Sequence, residues 1–446
     1  MLVAFSRKTV RLAMRGAGWG GLAQSVRASS GVCAGSVAAD AGEGGGGWEA
    51  RAQPLAGVTV LELEGLAAAP MAGMVLADFG ARVIRIDRPP AAAAQTTGDA
   101  GDGDGTGSGS SRAGETDAID HEPHMGTTLT SRGKESVVLD LKVPKQVEAF
   151  KALAQSADVV IEPFRAGVME SLGLGPEVLM GEEVNPRLVY ARMTGYGQVG
   201  EEATAAGHDI NYVAATGLLS CFARALPHPT PPTPPINLLG DMAGGAFSCA
   251  FGIVLALHAR DAPGGTGAGS IVDANMVSGS AYIGSFLYAM AQAGGYAPSR
   301  PGTNLLDSGA PFYDTYQTAD GEYMALGAIE PKFFAEAVAL LGLDVEPAAQ
   351  YKAKSWPALR AALTSAFASR TAAEWDAVFA GSDACVSRVV PLNEVVANPP
   401  GGRFGDEPQA VMPLPAPTLA ARDAAAPPAG HKVRMTLPSR PRRADA

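Results

Sequence analysis

Two short segments of this sequence, each beginning with glycine, hold the residue types best suited to proton transfer. One is Gly207–Tyr212, with the letters GHDINY, and the other is Gly240–Gly245, with the letters GDMAGG. His208 and Asp241 are expected on separate loops, each followed by an apolar run. Two different titratable groups held near one carbon atom can remove a proton from one face and return one to the other, when each pKa suits its task. The pattern therefore predicts a pair that inverts a carbon centre.

The two segments resemble those of the α-methylacyl-CoA racemases, members of the class III CoA-transferase superfamily. In that family the histidine of a GHDINY motif and the aspartate of a GD-x-x-G-G motif form the acid/base pair, which places these roles on His208 and Asp241. The similarity runs from about Leu55 to Leu343 and returns at Asp383 to Val396. It implies a racemase that interconverts (R)- and (S)-2-methyl-branched acyl-CoA thioesters in branched-chain fatty acid metabolism, with no metal or redox cofactor.

The resemblance also implies further site residues. It suggests that Glu330 holds the His208 ring, whereas Asp209 is adjacent in sequence and should point elsewhere. For contacts with CoA and substrate it implies Arg85, Leu139, Asp140, Leu141, Lys142, Arg165, Gly207, Asp209, Ile210, Asn211 and Tyr212. An arginine fork suits bidentate contact with a phosphate, and the alternative for each basic residue is a plain surface charge. For three further basic residues, Arg88, Arg132 and Lys134, the two interpretations have equal support.

A proton beside a thioester carbonyl is a very weak acid, so its removal needs a base in contact and donors for the enolate oxygen. The unperturbed pKa of a histidine such as His208 is ~6.5, which suits either role. Asp241 precedes a predicted helix start, where free backbone N–H groups face an anion and could donate to the enolate oxygen. The simpler alternative is a solvated histidine and a helix-capping aspartate, the latter contributing ~1 kcal/mol.

An apolar surface for the acyl chain is the interpretation of five residues near the site, with ordinary core packing as the alternative. They are Met276, Tyr282, Phe286, Met290 and Tyr313.

Two rival functions remain open. A class III CoA-transferase would use Asp241 as a nucleophile, but such transferases lack the histidine of GHDINY, so His208 favours the racemase. A catalytically silent acyl-CoA-binding relative is the second rival, because of the long insert and the altered C-terminal segment.

Bulk composition narrows the class of protein. A chain of 446 residues is expected to form two domains, and a net charge of −11 argues against a nucleic-acid partner. Four widely spaced cysteines predict a reducing compartment and no metal site, with Cys249 buried. The apolar run Met242–Leu257 is shorter than the ~20 residues of a membrane span, so we expect a buried core helix and no span.

Residues 1–50 are expected to be a transit peptide and linker, since five arginines and lysines precede the first acidic residue, Asp40; the alternative is a disordered leader or a mis-assigned start codon. This pattern favours the mitochondrial matrix, with peroxisome or cytoplasm as alternatives. The ending Ala444–Ala446 is not a peroxisomal signal.

Alternating strand and helix patterns predict an α/β fold, with a parallel-sheet, Rossmann-like core and a smaller α+β domain. The expected boundaries are a large domain at 51–262 with a disordered insert at 91–125, linking helices at 263–312, a small domain at 313–398, and a C-terminal return segment and tail at 399–446. One strand is expected at Ser136–Leu141. The resemblance further implies an interlocked homodimer of the class III CoA-transferase type, in which Glu330 acts across the interface.

Overall fold

The structure is a computed structural model that describes residues 53–89, 130–225, 229–397 and 416–417. The predicted leader and insert lie outside these ranges, as does nearly all of 399–446. The chain divides into two compact units, the first made of residues 53–192 and 252–272, and the second of 193–251 and the described residues from 273 onward. His208 and Asp241 thus belong to the second unit, although they were expected in the large domain; the domain boundaries stay a prediction.

A six-stranded sheet forms the core of the α/β fold. Its strands are β1 (Thr59–Leu63), β2 (Arg82–Asp87), β3 (Lys134–Val138), β4 (Val159–Glu162), β5 (Val189–Thr194) and β6 (Ile271–Asn275). The spatial order is β3-β2-β1-β4-β5-β6, and the neighbours from β3 to β5 pair in parallel. This is the strand order of the Rossmann fold, so the predicted fold class is confirmed.

Helices connect the parallel strands and cover the apolar strand faces. They are α1 (Ala68–Asp78), α2 (Pro144–Ala154), α3 (Val168–Ser171) and α4 (Pro176–Leu179). Every residue of β4 and β5 is buried, as expected where both faces of a parallel sheet are covered. Since the strands themselves are buried, polar residues that meet a ligand must lie in the loops that follow the carboxyl ends of the strands.

The strand predicted at Ser136–Leu141 is displaced in the structure, since β3 covers Lys134–Val138. The strand ends because Asp140 forms a local turn: its N–H donates to Gln146 at 2.7 Å, and its carboxylate accepts from the Lys142 N–H at 3.0 Å. The predicted CoA-binding residues 139–142 therefore lie in a loop.

Beyond β5 the chain becomes mostly helical. The elements are α5 (Asp209–Ala215), a 3₁₀ turn (Leu218–Cys221), a π-helical segment (Leu238–Phe247), α6 (Ser248–Asp261), α7 (Met276–Ile283) and α8 (Ser285–Gln292). The prediction that the motif residues lie on loops is wrong in part. Asp209 to Tyr212 form the first turns of α5, and Asp241 lies inside the π-helical segment.

A small α+β region follows, as predicted. It contains the antiparallel strands β7 (Tyr313–Gln317), β8 (Tyr323–Gly327) and β9 (Val386–Arg388), the helices α9 (Pro331–Leu340), α10 (Trp356–Phe367), α11 (Ala372–Phe379) and α12 (Leu392–Ala397), and 3₁₀ turns at Pro347–Ala349 and Ala353–Ser355. Its core packs around the aromatic side chains of Phe312, Phe334, Phe367 and Trp375.

One helix in the described part of the chain, Leu238–Asp261, has the length and apolar character of a membrane span. Its 24 residues exceed the length expected from the sequence, because the helix begins four residues before Met242 and ends four residues after Leu257. Core helices of soluble proteins meet the same criterion, so the length alone does not establish a span. Cys249, in this helix, is fully buried as predicted.

Candidate active site

His208 is held at the N-terminus of α5 by the residues that surround it in the GHDINY motif. Its backbone N–H donates to Oδ1 of Asn211 at 3.1 Å, and the Tyr212 hydroxyl donates to the Gly207 carbonyl. A Cβ on Gly207 would lie 2.7 Å from the Tyr212 ring and 3.0 Å from the Tyr196 hydroxyl. Three of the motif residues therefore fix the backbone on which His208 stands.

Asp209 turns inward and contacts the second motif. It is 1% exposed, and its Oδ1 accepts a hydrogen bond from the Asp241 backbone N–H at 2.7 Å. A Cβ on Gly240 would lie 2.5 Å from the same oxygen, so only glycine fits between them. The expectation that Asp209 points elsewhere than His208 agrees with this contact. The Asp241 N–H is not one of the free donors expected for an enolate oxygen at this helix start, since Asp209 already accepts from it.

The Asp241 carboxyl is shaped by burial and by two neighbours. It is 8% exposed, and its Oδ2 accepts from Asn237 Nδ2 at 2.9 Å. Burial first, and then the negative charge of Asp209, raise its pKa to about 6, while the Asn237 hydrogen bond and the charge of His208 act to lower it. The hydrogen bond between Asp209 and the Asp241 N–H joins the first turn of the helix capped by His208 to the segment that carries Asp241, so the structure brings the two motifs together.

The segment that carries Asp241 is a π-helix, a rare conformation that is often found at functional sites. Asn237 precedes it in the left-handed region, with φ 57° and ψ 10°, which asparagine tolerates better than most residues. The sequence analysis did not single out Asn237. Two features of the sequence could have indicated it: Asn237 lies four residues before Asp241, and asparagine tolerates the left-handed backbone conformation.

Helix α7 crosses the π-helical segment through backbone contact at two glycines. A Cβ on Gly279 would lie 1.8 Å from the Gly244 carbonyl oxygen, and a Cβ on Gly244 would lie 2.5 Å from Ser280 Oγ. The Ser280 hydroxyl, fully buried, donates to the Leu239 carbonyl at 3.3 Å. The first glycine of the GG pair in the second motif is thus required for packing that positions Asp241.

Glu330 lies at the N-cap of α9, where its charge acts on the Cys385 thiol. Burial first, and then the Glu330 carboxylate, raise the pKa of that thiol. The described contacts of Glu330 thus lie within the small α+β region, and its predicted role toward His208 stays a prediction.

The predicted CoA contacts in the first unit are arranged along strand ends and loops. Arg85 pairs with Asp87 at 2.7 Å, and Arg165 lies in the turn after β4. Lys134 is not a surface charge: it is buried, its Nζ lies 2.6 Å from Glu62, and it donates to the Pro70 carbonyl. Burial removes Lys134 from the candidates for phosphate binding.

The other two ambiguous arginines are also paired, Arg88 with Glu64 and Arg132 with Asp78. The residues proposed for the acyl chain are not core residues in the single chain, because Tyr282 is 80% exposed and Phe286 and Tyr313 are exposed as well. Within the described ranges there is no group of three or more side chains suited to hold a metal ion.

Comparisons with known proteins identify the family of this chain. The sequence pattern of CoA-transferase family III matches residues 55–439. Human alpha-methylacyl-CoA racemase is 45% identical over 370 residues, which cover 82% of this chain and 86% of that protein. A probable fatty acyl-CoA transferase of Mycobacterium tuberculosis is 30% identical over 73% of this chain and 79% of its own length.

The crystal structure of that Mycobacterium tuberculosis protein has a TM-score of 0.58 with this chain, at 28% identity, and covers 78% of this chain and 88% of its own. A CAIB/BAIF family protein from Brucella suis shares the fold with a TM-score of 0.63, at 24% identity, over 86% of this chain and 96% of its own. The protein belongs to CoA-transferase family III.

Proposed function

We propose that this protein is a racemase that interconverts the (R) and (S) epimers of 2-methyl-branched acyl-CoA thioesters, in branched-chain fatty acid metabolism. The observation that carries the proposal is the buried hydrogen bond from the Asp241 N–H to Asp209, which joins the first turn of the helix capped by His208 to the segment that carries Asp241. Burial raises the pKa of the Asp241 carboxyl to about 6, which suits it to proton transfer. Histidine is the residue type whose ordinary pKa lies nearest neutral pH, which suits it to give and take a proton in catalysis. The identity of 45% with a racemase supports the same reaction.

The two groups act in turn on the hydrogen at C2. One removes it as a base, an enolate forms, and the other delivers a proton to the opposite face. In the reverse direction the roles exchange, so the pair is active when it holds one proton in total. The N–H of Asp241 is bound to Asp209, so the enolate oxygen must be met by other donors.

No metal or redox cofactor is needed for this reaction, because the thioester carbonyl itself delocalises the charge of the enolate. CoA enters as part of the substrate. We assign its phosphates to Arg85, Lys142 and Arg165, and its remaining contacts to Leu139–Leu141 and Gly207–Tyr212, in accordance with the family resemblance.

A homodimer forms part of the proposal. Large apolar side chains of the second unit are exposed in the single chain, and extensive exposure of this kind marks interaction surfaces. They include Ile236, Leu238, Phe247, Phe251, Tyr282 and Phe286. In an interlocked dimer, Glu330 of the partner subunit would contact His208. Light scattering that reports a monomer at micromolar concentration would contradict this part.

The proposed location is the mitochondrial matrix, and the support is the basic leader before Asp40. Import of the full chain into isolated mitochondria, compared with a chain that starts at residue 51, tests it. Equal import of the two chains would contradict the proposal.

A CoA-transferase is the second candidate, favoured by the similarity to the Mycobacterium tuberculosis transferase. There Asp241 would attack the acyl group as a nucleophile. The raised pKa and the presence of His208 favour proton transfer instead. A silent acyl-CoA-binding relative would show neither activity.

Deuterium incorporation at C2 of (R)- and (S)-2-methylacyl-CoA in D₂O separates these functions. The wild type should exchange and epimerise both substrates, and His208→Ala and Asp241→Ala should abolish epimerisation. Absence of exchange, together with Asp241-dependent transfer of CoA to an added carboxylate, would establish the transferase. The absence of both reactions would indicate the silent acyl-CoA-binding relative.

A further inference from the structure

A buried arginine outside the acid/base pair binds both sides of the turn that carries Arg165. Arg192, in β5, is 7% exposed. Its Nε donates to Oε1 of Glu162 at 2.8 Å, and its Nη1 and Nη2 donate to the Glu170 carboxylate at 2.7 and 3.1 Å. Glu162 ends β4 and Glu170 lies in α3, so one guanidinium joins the two ends of the intervening turn.

Glu162 also binds the backbone of the turn. Its Oε2 accepts from the Phe164 N–H at 2.9 Å, while Oε1 receives Arg192. The side chain is fully buried, so both oxygens serve contacts within the protein. From the other side, Pro163 packs against Gly65, where an added Cβ would lie 2.7 Å from the proline ring. The start of the turn is therefore fixed on two sides.

The end of the turn is equally constrained. Gly167 adopts the left-handed conformation, with φ 85° and ψ −11°, as the N-cap of α3. The Val168 N–H donates to the Arg165 carbonyl at 3.1 Å. The backbone of Arg165 is thus constrained on both sides. Before it, the Phe164 N–H donates to Glu162, and after it comes a helix whose Glu170 binds Arg192.

We propose that Arg192 is a positioning residue for CoA recognition: through Glu162 and Glu170 it holds the turn 163–167 in the conformation that presents Arg165 to a CoA phosphate. This rests on the proposed function, in which Arg165 binds CoA. A buried ion pair such as Glu162–Arg192 is often replaceable by apolar residues of similar volume at no loss of stability. The role assigned to it here is therefore to select one conformation of the turn, with the exposed Glu170 as the second carboxylate that Arg192 binds.

The test compares Arg192→Met, Arg165→Ala and the double variant on two substrates. These are a 2-methylacyl-CoA and the matching 2-methylacyl-pantetheine thioester, which lacks the phosphates. Arg192→Met should raise KM for the CoA thioester about tenfold while kcat changes less than about twofold. KM for the pantetheine thioester should not change. KM of the double variant for the CoA thioester should equal that of Arg165→Ala alone, because the conformation of the turn no longer affects phosphate binding once Arg165 is absent.

Arg260→Met is the matched control. Arg260 is similarly buried in the same unit and binds Asp158 and Asp261, away from the turn. It should leave the ratio of the two KM values unchanged even if it lowers the melting temperature. If Arg192→Met does not fold, Glu162→Gln replaces it, since an amide has one acceptor oxygen for the two donors and should raise KM in the same selective way.

The outcomes separate the inference from the proposed function. If Arg165→Ala raises KM for the CoA thioester alone and Arg192→Met does not, the positioning role is wrong and the CoA contact stands. Additive effects in the double variant also overturn the positioning role. If Arg165→Ala affects both thioesters equally, the CoA contact itself is wrong, and the inference with it.

Discussion

The carboxylate of Asp209 accepts a hydrogen bond from the backbone N–H of Asp241 at 2.7 Å, and both residues are buried. The contact joins the first turn of α5, which begins next to His208, to the π-helical segment that carries Asp241. It also places a negative charge where it opposes ionisation of Asp241. One side chain therefore both positions Asp241 and adjusts its pKa.

Replacement of Asp209 by asparagine should shift the pH dependence of the reaction toward acid. Asparagine can still accept from the Asp241 N–H, but the negative charge that raises the Asp241 pKa is lost, so this pKa should fall. Because the pair works with one proton, the acidic limb of the kcat/KM profile should move to lower pH while the basic limb stays in place. An unchanged acidic limb would show that Asp209 does not influence Asp241.

Asn237→Gly should have the opposite effect. The Asn237 side chain donates to Asp241 Oδ2 and lowers its pKa, so its removal should raise that pKa and move the acidic limb to higher pH. Glycine is the suitable replacement because residue 237 has φ 57°. We expect kcat/KM at the optimum to fall about tenfold, since the carboxyl is no longer oriented. Acidic limbs that coincide for the variant and the wild type would contradict the assignment.

Gly279→Ala should destabilise the protein by about 3 kcal/mol or more, because overpacking at a contact between backbones cannot be relieved by a side-chain rotation. The new Cβ would lie 1.8 Å from the Gly244 carbonyl oxygen. Urea unfolding measures the change, and Gly295→Ala is the control, since its nearest neighbour would lie at 3.6 Å. Equal stability of the two variants would mean that α7 and the π-helical segment can separate without cost.

The sequence predicted the fold because its signals are local. The strands around Leu61, Val83 and Val160 are apolar runs between turn signals, and their parallel order follows from the helices between them. It also indicates His208 and Asp241 as candidates, since each lies in a short motif that is visible in the sequence; their catalytic role stays a prediction. Neither required knowledge of contacts between distant segments.

What the sequence did not predict depends on such contacts. The inward orientation of Asp209 requires Gly240, which lies on another segment, and the need for Gly244 becomes visible only when α7 is placed across it. Lys134 has the residue type of a phosphate ligand, but its burial against Glu62 depends on how β1 and β3 are placed in the sheet. A helix of the π type also has no established sequence signature.

The buried Glu62–Lys134 pair should give the stability a specific dependence on pH. Burial is the main cause that raises the pKa of Glu62 to about 7, so the folded protein binds this proton more tightly than the unfolded chain does. The contribution of Glu62 to the unfolding free energy is therefore fully present below its unfolded pKa and is lost as pH rises toward 7. Glutamine does not titrate, so the advantage of wild type over Glu62→Gln should decrease by on the order of 3 kcal/mol between pH 4.5 and 7. Burial lowers the pKa of Lys134, and loss of the Glu62 charge in the variant lowers it further. The variant therefore releases this proton more readily as pH rises, which also decreases the advantage of the wild type.

Chemical unfolding of both proteins at several pH values measures the difference. The control is Glu135→Gln, which removes an exposed ion pair with Arg82 and should change the unfolding free energy by less than ~1 kcal/mol at every pH. A difference that grows with pH would show that Glu62 is ionised at all these pH values and that the pair acts as an ordinary salt bridge.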